Sequence, residues 1–188
     1  MPIFPAATLA TERLLLRPFE AADVDPVAQA CSDDEVQRWL PLPRPYGREE
    51  AADWCLRKAP ELRESGAGLE LAIVTRSAGQ LAGCIGLKQP DWVGRVVEVG
   101  YWSAPATRRR GYLSEAVRSL TDWVLTEQGF ERVELLAATG NVASQRVAER
   151  AGFTREGVLR NAGFTHDGRV DLVMYAKIRA DLPVRVSG

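Results

Sequence analysis

The sequence predicts a single α/β (α+β) domain built on one mixed, mostly antiparallel sheet of about seven strands flanked by helices. Apolar and β-branched runs of strand length recur at Leu69–Thr75, Leu81–Lys88, Val96–Trp102 and Val133–Ala138. Helical periodicity is clearest from Gly111 to Gln128, where Leu113, Ala116, Val117, Leu120, Trp123 and Val124 recur at spacings of three and four. That helix lies between two strand-like runs. Such a β-α-β passage, residues 96 to 138, implies a right-handed crossover between parallel strands.

In chain order, Arg13–Arg17 reads as a first strand stopped by Pro18. Glu20–Cys31 is helical in composition, with Pro26 acceptable in the first turn. Asp33–Leu40 is a short helix capped by Ser32 or Asp33. Pro41, Pro43 and Pro45 impose an extended loop that ends at Tyr46 and Gly47. Glu49–Glu64 is helical, with Pro60 expected to kink or break it. Leu69–Thr75 and Leu81–Lys88 form a hairpin about Ser77-Ala-Gly79, and Pro90–Gly94 is a loop exposing Trp92. After the long helix, Gly129 ends it. Val133–Ala138 is a strand and Asn141–Ala151 a helix. Phe153–Leu159 and Val170–Lys177 are strands separated by the His166-Asp-Gly168 turn. The domain is expected over residues 11–178, with 1–10 and 179–188 as flexible or peripheral termini.

The 188 residues suffice to bury a sizeable core. With 46% hydrophobic and 26% charged residues, the composition is that of an ordinary globular protein. A net charge of −1 argues against nucleic acid as the main partner. No apolar run approaches the ~18 residues that cross a bilayer, so no membrane partner is expected. Met1–Ala10 lacks a basic segment followed by an apolar one, so no secretory signal is expected. Cys31, Cys55 and Cys84 are odd in number and widely spaced, which fits packed thiols in a reducing cytoplasm. With a single histidine, His166, in a turn, and no metal-spaced cluster, no metal is expected.

The stretch Ser103–Ala116 carries the chemistry. A strand ends in a basic, glycine-containing turn and enters a helix. The first N–H groups of a helix lack internal partners, and the dipole adds positive charge there, so this is an anion site. Arg108, Arg109 and Arg110 add full charge with donors suited to phosphate. The turn is therefore expected to hold a pyrophosphate.

Two segments bear a family likeness. Arg108–Ala116 resembles the R/Q-x-x-G-x-G/A signature of the GNAT N-acetyltransferases. Asn141–Gly157 is similar to their second signature, in the version of the ribosomal-protein-alanine (Rim-type) branch. Thr11–Pro18 resembles that branch's first strand and Asp171–Tyr175 its last. The likeness spans roughly residues 11 to 178, and the element order matches the family's fold, a sheet splayed at the acyl-CoA site. The first signature departs from the family at Arg109, where glycine is frequent, and at Leu113, where a small residue is usual.

The resemblance implies an acyl-CoA-dependent N-acyltransferase, most simply one that passes acetyl from acetyl-CoA directly to an amine. The acceptor is a protein N-terminal α-amine or a small-molecule amine, and a homodimer is compatible with the sequence. Pyrophosphate would lie on the backbone of Arg109, Arg110, Gly111, Tyr112, Leu113 and Ser114, with Arg108 beside it. Pantetheine would pair with the strand end at Tyr101, Trp102 and Ser103, and Asn141 would hold its amides. The tyrosine many members use as an acid is replaced by Ala148, whereas Ser144 matches the serine of the Rim-type branch and would serve the leaving thiolate. The glutamate that the branch can carry before its last hairpin turn is absent from Asn161–Phe164. Glu98 would act as base through water. Trp39, Tyr46, Trp92 and Phe164 fall in loops or at loop edges and fit an acceptor pocket roofed by the first helical region and the final hairpin.

Plainer roles compete for these residues. Asn141 and Ser144 also suit a helix cap, Glu98 also suits a surface ion pair, and His166 suits an exposed turn. A CoA-binding module without turnover is the alternative function. A nucleotide-binding domain is disfavoured, since neither G-x-G-x-x-G nor G-x-x-x-x-G-K-[ST] occurs.

Overall fold

A computed structural model describes residues 2–182. One eight-stranded sheet has the order β1-β2-β3-β4-β5-β6-β8-β7. The strands are β1 (Leu9–Ala10), β2 (Leu14–Arg17), β3 (Gly68–Thr75), β4 (Leu81–Asp91), β5 (Val96–Ser103), β6 (Arg132–Ala138), β7 (Thr154–Thr165) and β8 (Gly168–Ile178). Neighbours are antiparallel except β5 and β6, the parallel pair joined by the crossover helix. The strand beyond those expected is β1, whose two residues are too few to show an alternation.

The helices are α1 (Val24–Cys31), α2 (Asp34–Trp39), α3 (Arg48–Asp53), α4 (Ala59–Glu64), α5 (Tyr112–Thr126) and α6 (Val142–Arg150). A π-helical turn, Trp54–Lys58, joins α3 to α4. Pro60 therefore does not break this helix. It lacks an N–H and crowds the carbonyl four residues back, and the wider turn just before it accommodates the misfit.

Both faces of the central strands are covered. Leu69, Leu71, Ile73, Ile85, Leu87, Val97 and Val99 pack against Ala116, Val117, Leu120 and Val124 of α5. On the other face, Ala72 and Val74 join Val24, Val27 and Cys31 of α1, with Ala51 and Cys55. Burial on two faces explains why β3 reads as a continuous apolar run instead of an alternating one. Lys177, buried at the end of β8, bonds Asp122 of α5 at 2.7 Å and the Ala151 carbonyl at 3.2 Å. It ties both helices that flank the site to the sheet.

The N-terminal segment is a correction. Phe4 is fully buried, with its ring centroid 5.7 Å from Phe130 and 4.7 Å from Trp92. A lone aromatic in a short segment has no periodicity to announce it. Arg179–Asp181 forms a 3-10 turn. The expectation of loose ends at Met1 and 183–188 lies outside the described residues. Among the described residues no helix is long and apolar enough to cross a membrane.

Candidate active site

β5 and β6 pair only at Val96–Arg132, Val97–Val133 and Glu98–Glu134. Beyond that, β4 holds β5 as far as Ser103 and β8 holds β6 as far as Ala138. Each strand follows its own partner, and the twist of the sheet carries the two apart. The edge of β5 from Val99 to Ser103 thereby presents backbone donors and acceptors to a gap.

Two side chains meet across this gap. The Tyr101 hydroxyl, from β5, lies 3.0 Å from Ser144 Oγ and donates to the Ser144 carbonyl at 3.2 Å. Burial pushes the Tyr101 phenol above its ordinary value, so it is protonated at neutral pH. Asn141 caps α6, its Oδ1 accepting the Ser144 N–H at 3.0 Å. Cap and pantetheine ligand are compatible roles, because the cap uses the amide oxygen and leaves the nitrogen. Ala148 is fully buried and offers no hydroxyl. The sequence pointed to Tyr101 only for its backbone. The signal for its side chain was the alternation Val97, Val99, Tyr101, which ends an apolar face in a polar tip.

The basic turn opens with a 3-10 turn at Pro105–Thr107. Arg109 then adopts φ +63° and Gly111 φ +77° before α5 begins. An arginine thus takes the left-handed conformation that suits glycine, at a cost of about 1–2 kcal/mol. The resulting curl of N–H groups, at a helix N-terminus, forms an anion-binding concavity. Arg13 braces the curl, donating to the Arg110 carbonyl at 2.9 Å and to Glu115 at 2.6 Å. Against the effect of burial, hydrogen bonds from Thr11 and Arg13 hold the Glu115 carboxyl below its ordinary value. A cleft of about 460 Å³ beside the turn is lined by Thr11, Arg13, Gly111, Ser114, Arg118 and Arg150, among others.

Of the three turn arginines, Arg109 and Arg110 are exposed. The Arg108 side chain is instead bonded to Asp33, the N-cap of α2. Its guanidinium is committed to linking the turn to the first helical region. The hydrogen bond from Arg108 holds the Asp33 carboxyl below its ordinary value.

Glu98 is mostly buried and bridged to Lys88 on β4 at 2.8 Å. Its position is at the start of the splay, but it is held in an ion pair. Trp39 lies against Gly140, next to Asn141, and donates to Glu35 at 2.9 Å. Tyr46 packs into the cluster of α1 and α3 side chains, where burial raises its phenol. Phe164 is 59% exposed on the β7–β8 hairpin. The tip of that hairpin touches the proline loop through His166, whose Nε2 donates to the Leu42 carbonyl at 2.9 Å. The sequence assigned His166 no contact. Trp92 is a correction: it sits with Phe4 and Phe130 at the β4–β5 turn, the far end of β5 from the splay, and donates to the Gly66 carbonyl. Among the described residues, no group of three or more His, Cys, Asp or Glu is placed to hold a metal ion.

Residues 13–154 match the family described as the acetyltransferase (GNAT) domain. The chain is 28% identical over 171 residues to the uncharacterized N-acetyltransferase YoaA of Bacillus subtilis, covering 91% of this chain and 96% of that protein. It is 29% identical over 99 residues to the ribosomal-protein-serine acetyltransferase of Escherichia coli, covering 53% and 55%. Its fold matches that of Mycobacterium smegmatis RimJ in complex with CoA-disulfide with a TM-score of 0.85, at 19% identity, covering 95% of this chain and 90% of that one.

Proposed function

The chain belongs to the GNAT acetyltransferase family, and on that premise we propose how its own residues hold acetyl-CoA and pass the acetyl group to an amine. It is an acetyl-CoA-dependent N-acetyltransferase. The β5 edge at Tyr101, Trp102 and Ser103 pairs with the pantetheine arm, and Asn141 bonds its amides. The backbone from Arg109 to Ser114 cradles the pyrophosphate, with Arg109 and Arg110 supplying side-chain charge.

The amine nitrogen attacks the thioester carbonyl carbon, the C–S bond breaks, the nitrogen loses a proton and the sulfur gains one. A β5 backbone N–H facing the carbonyl oxygen would contribute about 3 kcal/mol of transition-state stabilisation. Tyr101 and Ser144, hydrogen-bonded at 3.0 Å, supply the proton to sulfur. Glu98, once released from Lys88, takes the amine proton through water. The observation that carries this assignment is the divergence of β5 from β6 with the Tyr101–Ser144 pair across it. The Tyr101 hydroxyl also supports turnover over a CoA-binding module, because it supplies what Ala148 lacks.

The acceptor is a primary amine, carried by a protein N-terminus or by a small molecule; a protein acceptor is supported by the likeness to the ribosomal-protein-serine acetyltransferase of Escherichia coli. A reducing, cytoplasmic setting belongs to the same proposal, supported by three free, buried cysteines. The test is thiol release from acetyl-CoA with peptides and small amines as acceptors. Release with at least one amine is the expected result. Measurable CoA binding with no release for any amine would favour the module.

A further inference from the structure

Glu70 is a carboxylate that this mechanism leaves unused. It lies on β3 directly opposite Gly86 of β4, and Gly86 lies directly opposite Gly100 of β5. Directly paired residues share a face. The three therefore stand in one row across the sheet, on the face that also carries Cys84, Lys88, Glu98 and Trp102. Two glycines in succession contribute no side chains of their own between Glu70 and the β5 edge that borders the gap, so the neighbouring side chains lie down on this floor.

Neighbours reach over this floor from its sides. The Glu70 carboxyl lies over Gly86, where an added Cβ would collide with it. The Lys88 stem lies over Gly100, with Cε 2.9 Å and Nζ 3.3 Å from the Cβ position there. Cys84 and Trp102 form one wall, and the Lys88–Glu98 pair forms the other. The row from Glu70 to Gly100 spans about 10 Å, two strand spacings, and the trough it forms leads to the β5 edge at the splay.

Its inner end is short of a cation. Glu70 is partly buried, and among the described residues no Lys or Arg lies within 4.0 Å of its carboxyl. Its hydrogen-bond partner is the Cys84 thiol, Sγ to Oε2 at 3.1 Å. A carboxylate drawn from water with a thiol for company is costly, and a bound cation removes the cost. The protein's own primary ammonium, Lys88 Nζ, already sits over Gly100 beside Glu98. The space therefore admits that group, and the half-exposed Lys88 side chain is able to swing away.

We propose that the Gly86–Gly100 trough is the acceptor subsite, and that Glu70 is the carboxylate that draws the acceptor's slim primary ammonium onto this floor, from which the amine moves to the splay and gives up its proton. This rests on the acetyl-transfer assignment above. The shared chemistry is a primary ammonium on an unhindered carbon, whether from a polyamine or from a chain N-terminus.

The test uses spermidine and a pentapeptide beginning with serine as separate probes. Each is assayed as an acetyl acceptor and titrated calorimetrically into CoA-loaded protein, with wild type, Glu70→Gln and Gly86→Ala. Glu70→Gln keeps the shape and removes the charge. Gly86→Ala keeps the charge and displaces the carboxyl. Both are expected to weaken binding of the accepted probe, or raise its KM, by tenfold or more, with CoA affinity within twofold of wild type. The probe affected identifies the source of the ammonium. An unchanged amine KM and affinity in Glu70→Gln would overturn the trough while leaving acetyl transfer intact. Failure of wild type to bind either probe would also overturn it. Probe binding that depends on Glu70 but gives no CoA release would support the trough and defeat acetyl transfer.

Discussion

The Tyr101 hydroxyl lies 3.0 Å from the Ser144 hydroxyl, across the gap that opens where β5 and β6 cease to pair. A strand and a helix 43 residues apart in sequence thus bring two hydroxyls together at this gap.

If these two act as one proton donor, Tyr101→Phe and Ser144→Ala should each lower kcat by about 10²-fold, the lower end of what acid–base groups contribute. CoA affinity should stay within twofold. The double variant should lose little more than either single one, since residues acting as a unit are not additive. Steady-state kinetics with CoA titrations checks this. Equal losses in kcat and CoA affinity would mean the pair is structural.

The three turn arginines should separate. Arg109→Ala with Arg110→Ala should raise the KM for acetyl-CoA more than that for the amine. Arg108→Ala should instead lower thermal stability through Asp33, with a smaller effect on that KM. Arg109→Gly should be stabilising by about 1 kcal/mol, because it relieves a left-handed arginine. Calorimetric melting beside the kinetics distinguishes these outcomes.

Trp92→Ala should destabilise the fold by about 3 kcal/mol, the cost of emptying an aromatic site. The amine KM of the folded fraction should not move. Removing Phe4 with the segment before Leu9 should act the same way, as both empty the Phe4–Trp92–Phe130 cluster. Denaturant unfolding measures the first effect and steady-state kinetics the second.

Glu70 should leave a mark on stability against pH. Burial pushes its carboxyl from 4.5 up to about 7, against the pull of the Cys84 thiol and the Lys88 charge. The folded state then holds this proton more tightly than the unfolded chain does. Its stabilising contribution is complete below about pH 4.5 and is lost as pH rises to about 7. Cys84, Lys88 and Glu98 face the same space, so Glu70→Gln is needed to isolate its share. The variant should match wild type near pH 5 and melt higher than wild type near pH 8. Identical melting curves across that range would show Glu70 to be solvated.

Much of the fold was legible because its signals are local. The three-four repeat of Leu113 to Val124 is one helix's buried stripe, and the positive-φ glycines Gly111, Gly129 and Gly168 mark real turns. The basic turn before α5 was legible for the same reason: a strand end, a glycine and a helix start are neighbours in sequence. Misassignments arose where a side chain's partner is distant. Arg108 looks like its two neighbours until Asp33 is brought to it. Trp92 looks like a pocket aromatic until Phe4 and Phe130 surround it.

By itself, the sequence determined the element order from β2 onward, the crossover around residues 96 to 138 and the basic glycine turn that opens α5. Those follow from periodicity and from residues whose conformational limits act within a few positions. Only the tertiary structure decided where β5 and β6 part, that Tyr101 meets Ser144, and that Glu70, Gly86 and Gly100 line up across three strands. Strand register sets such meetings, and register is fixed by the packing of both sheet faces, which no single stretch of sequence contains.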